Sequence, residues 1–237
     1  MFFPIGLGEA KGDEGIEILD ASFDAGVGEL RIKSYGEETK SYLKQITASA
    51  KHVPVDTLAF WDLHTHQFFK LVPDFSSVST LEFRRCELTD LSTLLNRKSI
   101  AKTLNRVYFV DSRIEGDLLV SSEHANRLKF LSLSGCELSE RAFQSLRKTR
   151  VAYFYCAHTD LDATQLTDIA KSQNILEATV QVTQLSTDQL KLFAEMKHLK
   201  KLTVVTNQNS EQIHSTLSSL RPDIDLSFRK PLGKTTP

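Results

Sequence analysis

The segment Leu128-Lys-Phe-Leu131-Ser-Leu133-Ser-Gly-Cys136-Glu-Leu138 has the form LxxLxLxxCxL, and that spacing returns along most of the chain. Upstream, Val78, Leu81, Phe83, Cys86 and Leu88 fit it, as do Leu104, Val107, Phe109, Ser112 and Ile114. Downstream come Val151, Phe154, Cys156, Thr159 and Leu161, then Ile175, Ala178, Val180, Thr183 and Leu185, then Leu199, Leu202, Val204 and Asn207. Val55, Leu58 and Phe60 extend the series backward, with Leu63 where the polar residue should stand. The residue that opens each LxL pair falls at 58, 81, 107, 131, 154, 178 and 202, at intervals of 23, 26, 24, 23, 24 and 24. A period this regular means one supersecondary unit repeated. No such unit buries its own apolar face alone, so the units must stack.

The alternation within each unit predicts a short strand, with the LxL residues on one face and the intervening ones on the other. Helical spacing follows the strands at Leu91, Leu94 and Leu95, at Phe143 and Leu146, at Leu166, Ile169 and Ala170, and at Leu190, Phe193 and Met196. Ser186-Thr-Asp-Gln189 suits a helix N-terminus. The position held by Cys86, Ser112, Cys136, Thr159, Thr183 and Asn207 lies where the chain turns off the strand. Backbone groups buried between coils need partners there, and a small side-chain donor supplies them.

These residues resemble leucine-rich repeats over 53–228, in particular the ribonuclease-inhibitor-like, cysteine-containing and 24-residue bacterial variants. Leu63 in the first unit, Ala178 in place of Leu, and the lack of Gly after the turn depart from the pattern. The resemblance implies an α/β fold: a leucine-rich-repeat solenoid forming a right-handed superhelix, with its parallel sheet on a concave face and short helices on the convex face. It also implies a non-catalytic module that binds a protein partner on that face. Alternatives of the same kind are an effector, a ubiquitin-ligase-type substrate receptor and a toxin-neutralising immunity protein. Residues 1–52 show no F-box pattern and read as an irregular N-terminal cap. Val27, Leu30 and Ile32 suggest a diverged unit there, 16–23 and 29–33 a hairpin, and 37–50 a helix. Ile224-Asp-Leu226-Ser-Phe228 reads as a last strand after a helix over 211–220, and 229–237 as a tail.

Strand geometry selects the outward positions. In order they are Thr57, Ala59 and Trp61; Thr80, Glu82 and Arg84; Arg106, Tyr108 and Val110; Phe130, Ser132 and Ser134; Tyr153, Tyr155 and Ala157; Glu177, Thr179 and Gln181; Lys201, Thr203 and Val205. Aromatic residues and Arg are enriched at interface hot spots. The candidate partner-binding residues are therefore Trp61, Glu82, Arg84, Arg106, Tyr108, Phe130, Tyr153 and Tyr155. The plainer account is that strands favour aromatic residues in any case.

No metal, cofactor or small-molecule substrate is expected. His64-Thr-His66 lacks further ligands at a suitable spacing and reads as a solvated turn. Gly6-Leu-Gly8 with Lys11-Gly12 lacks the phosphate-loop spacing. The pairs Arg84-Arg85, Arg147-Lys148 and Lys200-Lys201 read as solvated surface. Cys86, Cys136 and Cys156 read as buried structural thiols, the first two being about 10 Å apart, two strand spacings, which is too far for a disulfide. An odd cysteine count without a CxxC pair suits reduced thiols and a cytoplasmic setting. A net charge of −1 offers no global attraction to nucleic acid or an acidic membrane. No stretch approaches the roughly 20 apolar residues of a membrane span, and the first residues lack the basic region of a signal peptide. The sequence sets no oligomeric state.

Overall fold

Alternating apolar residues form strands, and the strands stack in register. The computed structural model describes residues 21–24, 29–33, 55–64, 69, 72, 75, 77–117, 128–146, 150–172 and 174–231. The strands are β1 (Ala21–Asp24), β2 (Glu29–Lys33), β3 (Thr57–Trp61), β4 (Thr80–Arg84), β5 (Glu87–Leu88), β6 (Arg106–Val110) and β7 (Arg113–Ile114). They continue with β8 (Phe130–Ser134), β9 (Glu137–Leu138), β10 (Tyr153–Asp160), β11 (Glu177–Gln181), β12 (Lys201–Val205) and β13 (Asp225–Arg229). Ten of them form one sheet in the order β1-β2-β3-β4-β6-β8-β10-β11-β12-β13, and β5, β7 and β9 form a second, three-stranded one.

The hairpin of β1 and β2 is antiparallel, and β2 pairs parallel with β3. From there to β13 every pairing is parallel. Leu30, Leu58, Leu81, Val107, Leu131, Phe154, Ala178, Leu202 and Leu226 lie side by side across the sheet. The register thus continues one strand beyond the seven units at either end. Phe60, Phe83 and Phe109 occupy the second inward position of three adjacent strands. Their rings stack at 5.3 and 5.1 Å with interplanar angles of 13° and 10°, close to the strand spacing of about 4.8 Å. Phe69 meets Phe60 and Phe83 edge-on.

Short helices back the strands: α1 (Ser92–Leu95), α2 (Lys98–Thr103), α3 (Glu140–Leu146), α4 (Ala163–Ala170), α5 (Thr187–Glu195) and α6 (Ser210–Leu220). Leu94, Leu95, Phe143, Leu146, Leu166, Ile169, Leu190, Phe193, Ile213 and Leu217 join the strands' inward residues in one continuous core. The helix expected from Leu91, Leu94 and Leu95 is two short helices, separated where Arg97 takes an extended backbone. Two starts are capping boxes. Asp162 accepts from Gln165 N–H while Gln165 reaches back to Asp162 N–H, and Ser186 with Gln189 does the same, each cap being worth about 1 kcal/mol. The architecture is an α/β solenoid of stacked strand-and-helix units with an open sheet.

The turn after the strand is built in two ways. In the first five units the residue that follows takes a left-handed conformation: Asp62, Arg85, Asp111, Gly135 and His158 have φ of 56°, 50°, 49°, 67° and 60°. Asp and His tolerate that region better than Arg does. Arg85 also donates twice to Asp62, at 2.6 and 2.9 Å. The kink brings the next residue inward, and its side chain does the work expected of it. Ser112 Oγ accepts from Cys86 N–H (3.1 Å) and donates to Val110 O (2.9 Å). Thr159 Oγ1 accepts from Cys136 N–H (3.0 Å) and donates to Leu133 O (3.0 Å). Cys86 Sγ lies 3.3 Å from Arg84 O.

The sixth and seventh units depart from this expectation. They lack the left-handed residue, so strand alternation carries Val182 and Thr206 inward in place of Thr183 and Asn207. Thr183 and Asn207 are exposed. Thr183 bonds to the Asp160 carboxylate, while Thr206 Oγ1 lies 3.4 Å from Thr183 O and accepts from Gln208 N–H.

Candidate protein-binding face

The sheet has one side against the core and one side away from it, and the second side carries the candidate residues in ordered rows. The middle row runs Arg31, Ala59, Glu82, Tyr108, Ser132, Tyr155, Thr179, Thr203, Ser227, each paired with the next across neighbouring strands. One flanking row runs Thr57, Thr80, Arg106, Phe130, Tyr153, Glu177, Lys201, Asp225, and the other begins Trp61, Arg84, Val110, Ser134.

Two clusters form within these rows. At the first, the guanidinium groups of Arg31 and Arg84 lie over the Trp61 ring, at 5.3 and 5.4 Å from its centroid. Arg84 is also ion-paired with Glu82. Each cation–π contact at such a partly exposed site is worth about 0.5–1 kcal/mol, enough to hold the indole in one orientation. At the second, Tyr108 packs on Phe130, with centroids 5.0 Å apart and planes tilted by 35°. Tyr153 pairs across the sheet with Phe130, and Tyr155 with Ser132.

The candidates sit where strand alternation predicted. Trp61, Glu82, Arg84, Tyr108, Phe130 and Tyr155 are half-buried, Arg106 is exposed and Tyr153 is 40% exposed. Tyr153 and Leu220 are the large apolar side chains most open to solvent among the described residues. Arg106 forms no ion pair among the described residues. Several small outward residues are covered by their larger neighbours: Ala59, Thr80, Ser132, Ala157, Thr203 and Val205 are all buried. Ala157 also leaves its row, because β10 breaks register after Cys156. Arg31 was not among the candidates. The alternation of Leu30 and Ile32 marks it as outward, but only once the hairpin strand is counted into the sheet.

The three thiols are free and buried. Burial pushes Cys86 up to about 11 and Cys136 up to about 12, and raises Cys156 further for the same reason. These thiols serve packing and turn carbonyls, since a protonated buried sulfur is a poor nucleophile. His64 is exposed, with Nδ1 3.9 Å from Glu87 Oε1. His66, 1–20, and the helix expected over 37–50 lie outside the described residues. Among the described residues no three His, Cys, Asp or Glu side chains gather to hold a metal ion, and no helix is long and apolar enough to cross a membrane.

No family model matches the chain, and no curated protein sequence does. Among solved structures, the chain is similar to an internalin (inlF) from Listeria monocytogenes, with 16% identity and a TM-score of 0.44. The match covers 77% of this chain and 50% of that one, so the chain spans about half the length of that protein.

Proposed function

We propose that this chain is a non-catalytic protein-interaction module that holds a protein partner on the outward face of its sheet, across the rows from Arg31 and Trp61 to Tyr155. One observation carries this reading. Trp61, Tyr108, Phe130, Tyr153 and Tyr155 gather on the strand side opposite the core, where the core itself does not call for large aromatic residues and all five keep part of their surface open to solvent. Aromatic side chains with Arg at their margins are the composition of interface hot spots, and here Arg84 and Arg106 supply the margin. Trp61 held by two guanidinium groups loses little side-chain entropy on binding, which favours affinity. In this reading 53–228 is the binding solenoid, 1–52 its cap, whose strand β2 adds Arg31 to the face, and 229–237 a tail that starts at the last residue of β13. Free buried thiols suit action in a reducing, cytoplasmic setting.

The test compares two surface variants of equal stability against proteins captured by the wild type. Trp61→Ala/Tyr108→Ala/Tyr155→Ala should lower affinity for a captured partner by at least about a hundredfold, since each hot-spot truncation costs about 1 kcal/mol or more. Glu177→Ala/Thr179→Ala, on the same face farther along, should leave it unchanged. Undiminished affinity in the triple variant, with its circular dichroism spectrum intact, would sink the reading.

A further inference from the structure

Among the described residues β13 is the last strand of the sheet, and strand parity shows what its outer edge offers. Asp225 N–H donates to Lys200 O (2.8 Å), and Arg229 O accepts from Thr206 N–H (3.0 Å). Residues two apart on a strand direct their backbone groups the same way, so Asp225, Ser227 and Arg229 bond towards β12. Leu226 and Phe228 therefore turn their N–H and C=O away from the sheet. Their side chains face the core but are only half-buried, whereas the corresponding Leu202 and Val204 on β12 are fully enclosed. On the opposite face Asp225 and Arg229 are exposed, with Ser227 half-buried between them. Neither charge forms an ion pair among the described residues.

We propose that β13 is a self-association edge: two copies of the chain pair antiparallel about a two-fold axis at Ser227, joining their sheets into one. The sequence Asp225-Leu-Ser-Phe-Arg229 is complementary to itself in that register. Leu226 stands opposite Phe228 of the second copy and Phe228 opposite Leu226. Both sets of backbone groups point outward, so these become two hydrogen-bonded pairs carrying four N–H···O bonds. Asp225 stands opposite Arg229 twice, on the same face of the joined sheet. A shift of two residues either way keeps the parity but sets Asp225 against Ser227 or Pro231; the first of these brings Arg229 opposite Asp223, which lies before β13 and is already ion-paired with Arg221. Leu226 and Phe228 lie beside each other across the joint, which covers apolar surface that the last unit leaves open. The helix behind β13 carries Leu220, 43% exposed. The two-fold axis stands perpendicular to the sheet, so the last helices of both copies lie on the same side. An edge strand with no neighbour among the described residues invites such pairing.

Sedimentation equilibrium of the full chain over a wide concentration range tests this. The wild type should pass reversibly from 26.7 kDa to twice that mass. Arg229→Asp turns both opposite-charge pairs into like-charge pairs and should weaken dimerisation roughly tenfold or more. Asp225→Arg/Arg229→Asp restores opposite charges across the axis and should restore the dimer. Ser227 meets its own copy in a non-hydrogen-bonded pair about 4.5 Å apart, within disulfide reach. Ser227→Cys should therefore yield a covalent dimer on mild oxidation, while the three native thiols stay buried. A wild type that is monomeric throughout overturns the proposal. So does a dimer indifferent to Arg229→Asp, a double variant that stays dissociated, or a Ser227→Cys chain that does not cross-link.

Discussion

Ser112 is the place to test whether the small polar residue of each turn holds the stack together. Its Oγ accepts from Cys86 N–H at 3.1 Å and lies 2.9 Å from Val110 O and 3.4 Å from Phe83 O, in a residue 2% exposed. One hydroxyl proton serves one carbonyl at a time, so Ser112→Ala removes one accepted and one donated bond while changing a single atom. Val110 O keeps a partner, because Arg85 N–H donates to it at 2.9 Å. Cys86 N–H has no other partner among the described residues and is left buried. An orphaned buried donor costs about 1–3 kcal/mol, so the expected loss is about 2 kcal/mol. For a chain of this size that is a fall in Tm of roughly 4–8 °C. Ser112→Cys should fall between, since a thiol keeps the geometry seen at Cys86 but donates weakly. Urea unfolding followed by circular dichroism gives the difference, with the m-value checked because repeat arrays can lose cooperativity. Amide exchange at Cys86 reads the orphaned donor directly. If Ser112→Ala is within about 0.5 kcal/mol of wild type and Cys86 N–H stays protected, the turn side chains are not what satisfies the stack.

Other substitutions separate further parts of the argument. A Cβ on Gly116 would lie 2.2 Å from Thr89 O of the neighbouring coil, so Gly116→Ala must move backbone and should cost about 1–3 kcal/mol. Gly135→Ala meets only the movable Asp111 carboxylate but takes φ +67°, so its urea midpoint should fall less, by about 1 kcal/mol of left-handed strain; the reverse order would refute the comparison. A thiol reagent at about pH 8 should label none of the three cysteines until the chain unfolds, and fast native labelling of any one would contradict their burial. The raised thiol values contribute stability that is fully present below the ordinary value of 9.0 and is lost as pH climbs towards 11 and 12, so Tm should fall across that window in the wild type and fall less in Cys86→Ala/Cys136→Ala. Arg221 donates to Ala194 O (2.9 Å), Met196 O (3.2 Å) and Leu199 O (3.2 Å) while Asp223 braces it. Arg221→Lys should therefore lower the urea midpoint more than Asp223→Asn, because an ammonium cannot serve three carbonyls with a planar fork.

The strands were readable because period-two alternation states both where a strand runs and which residues share a row. Leu58, Leu81, Val107, Leu131, Phe154, Ala178 and Leu202 were aligned by spacing alone and prove to be cross-strand neighbours. The turn was readable only in part. Its conformation depends on one left-handed residue per unit, and Asp62, Arg85, Asp111, Gly135 and His158 share no chemistry that a pattern could catch. Without that kink Val182 and Thr206 turn inward, and polar residues assigned by counting, Thr183 and Asn207, land outside. The face was readable as a list of residues but not as clusters. Which guanidinium lies over Trp61 depends on side-chain conformations, and burial of Ala59 and Ser132 depends on the size of their neighbours.

Alternation also explains why fold and binding can be examined separately. Tyr108 stands between Val107 and Phe109, and the latter two are buried in the core while Tyr108 faces outward. Tyr155 stands between Phe154 and Cys156 in the same way. Replacing Tyr108 removes a contact with Phe130 and partly exposed area, whereas replacing Phe109 removes a ring stacked on Phe83 and opens a cavity, at about 3–5 kcal/mol. A Tyr108→Ala chain should therefore unfold close to wild type even if it no longer binds, and a Phe109→Ala chain should lose stability first. The same division holds on β13, where Asp225 and Arg229 can be exchanged without touching Leu226 and Phe228. Each strand gives its inward residues to the stack and sets its outward ones apart from the core, so units that share one core present different surfaces, from Trp61 and Arg84 to Thr179 and Gln181.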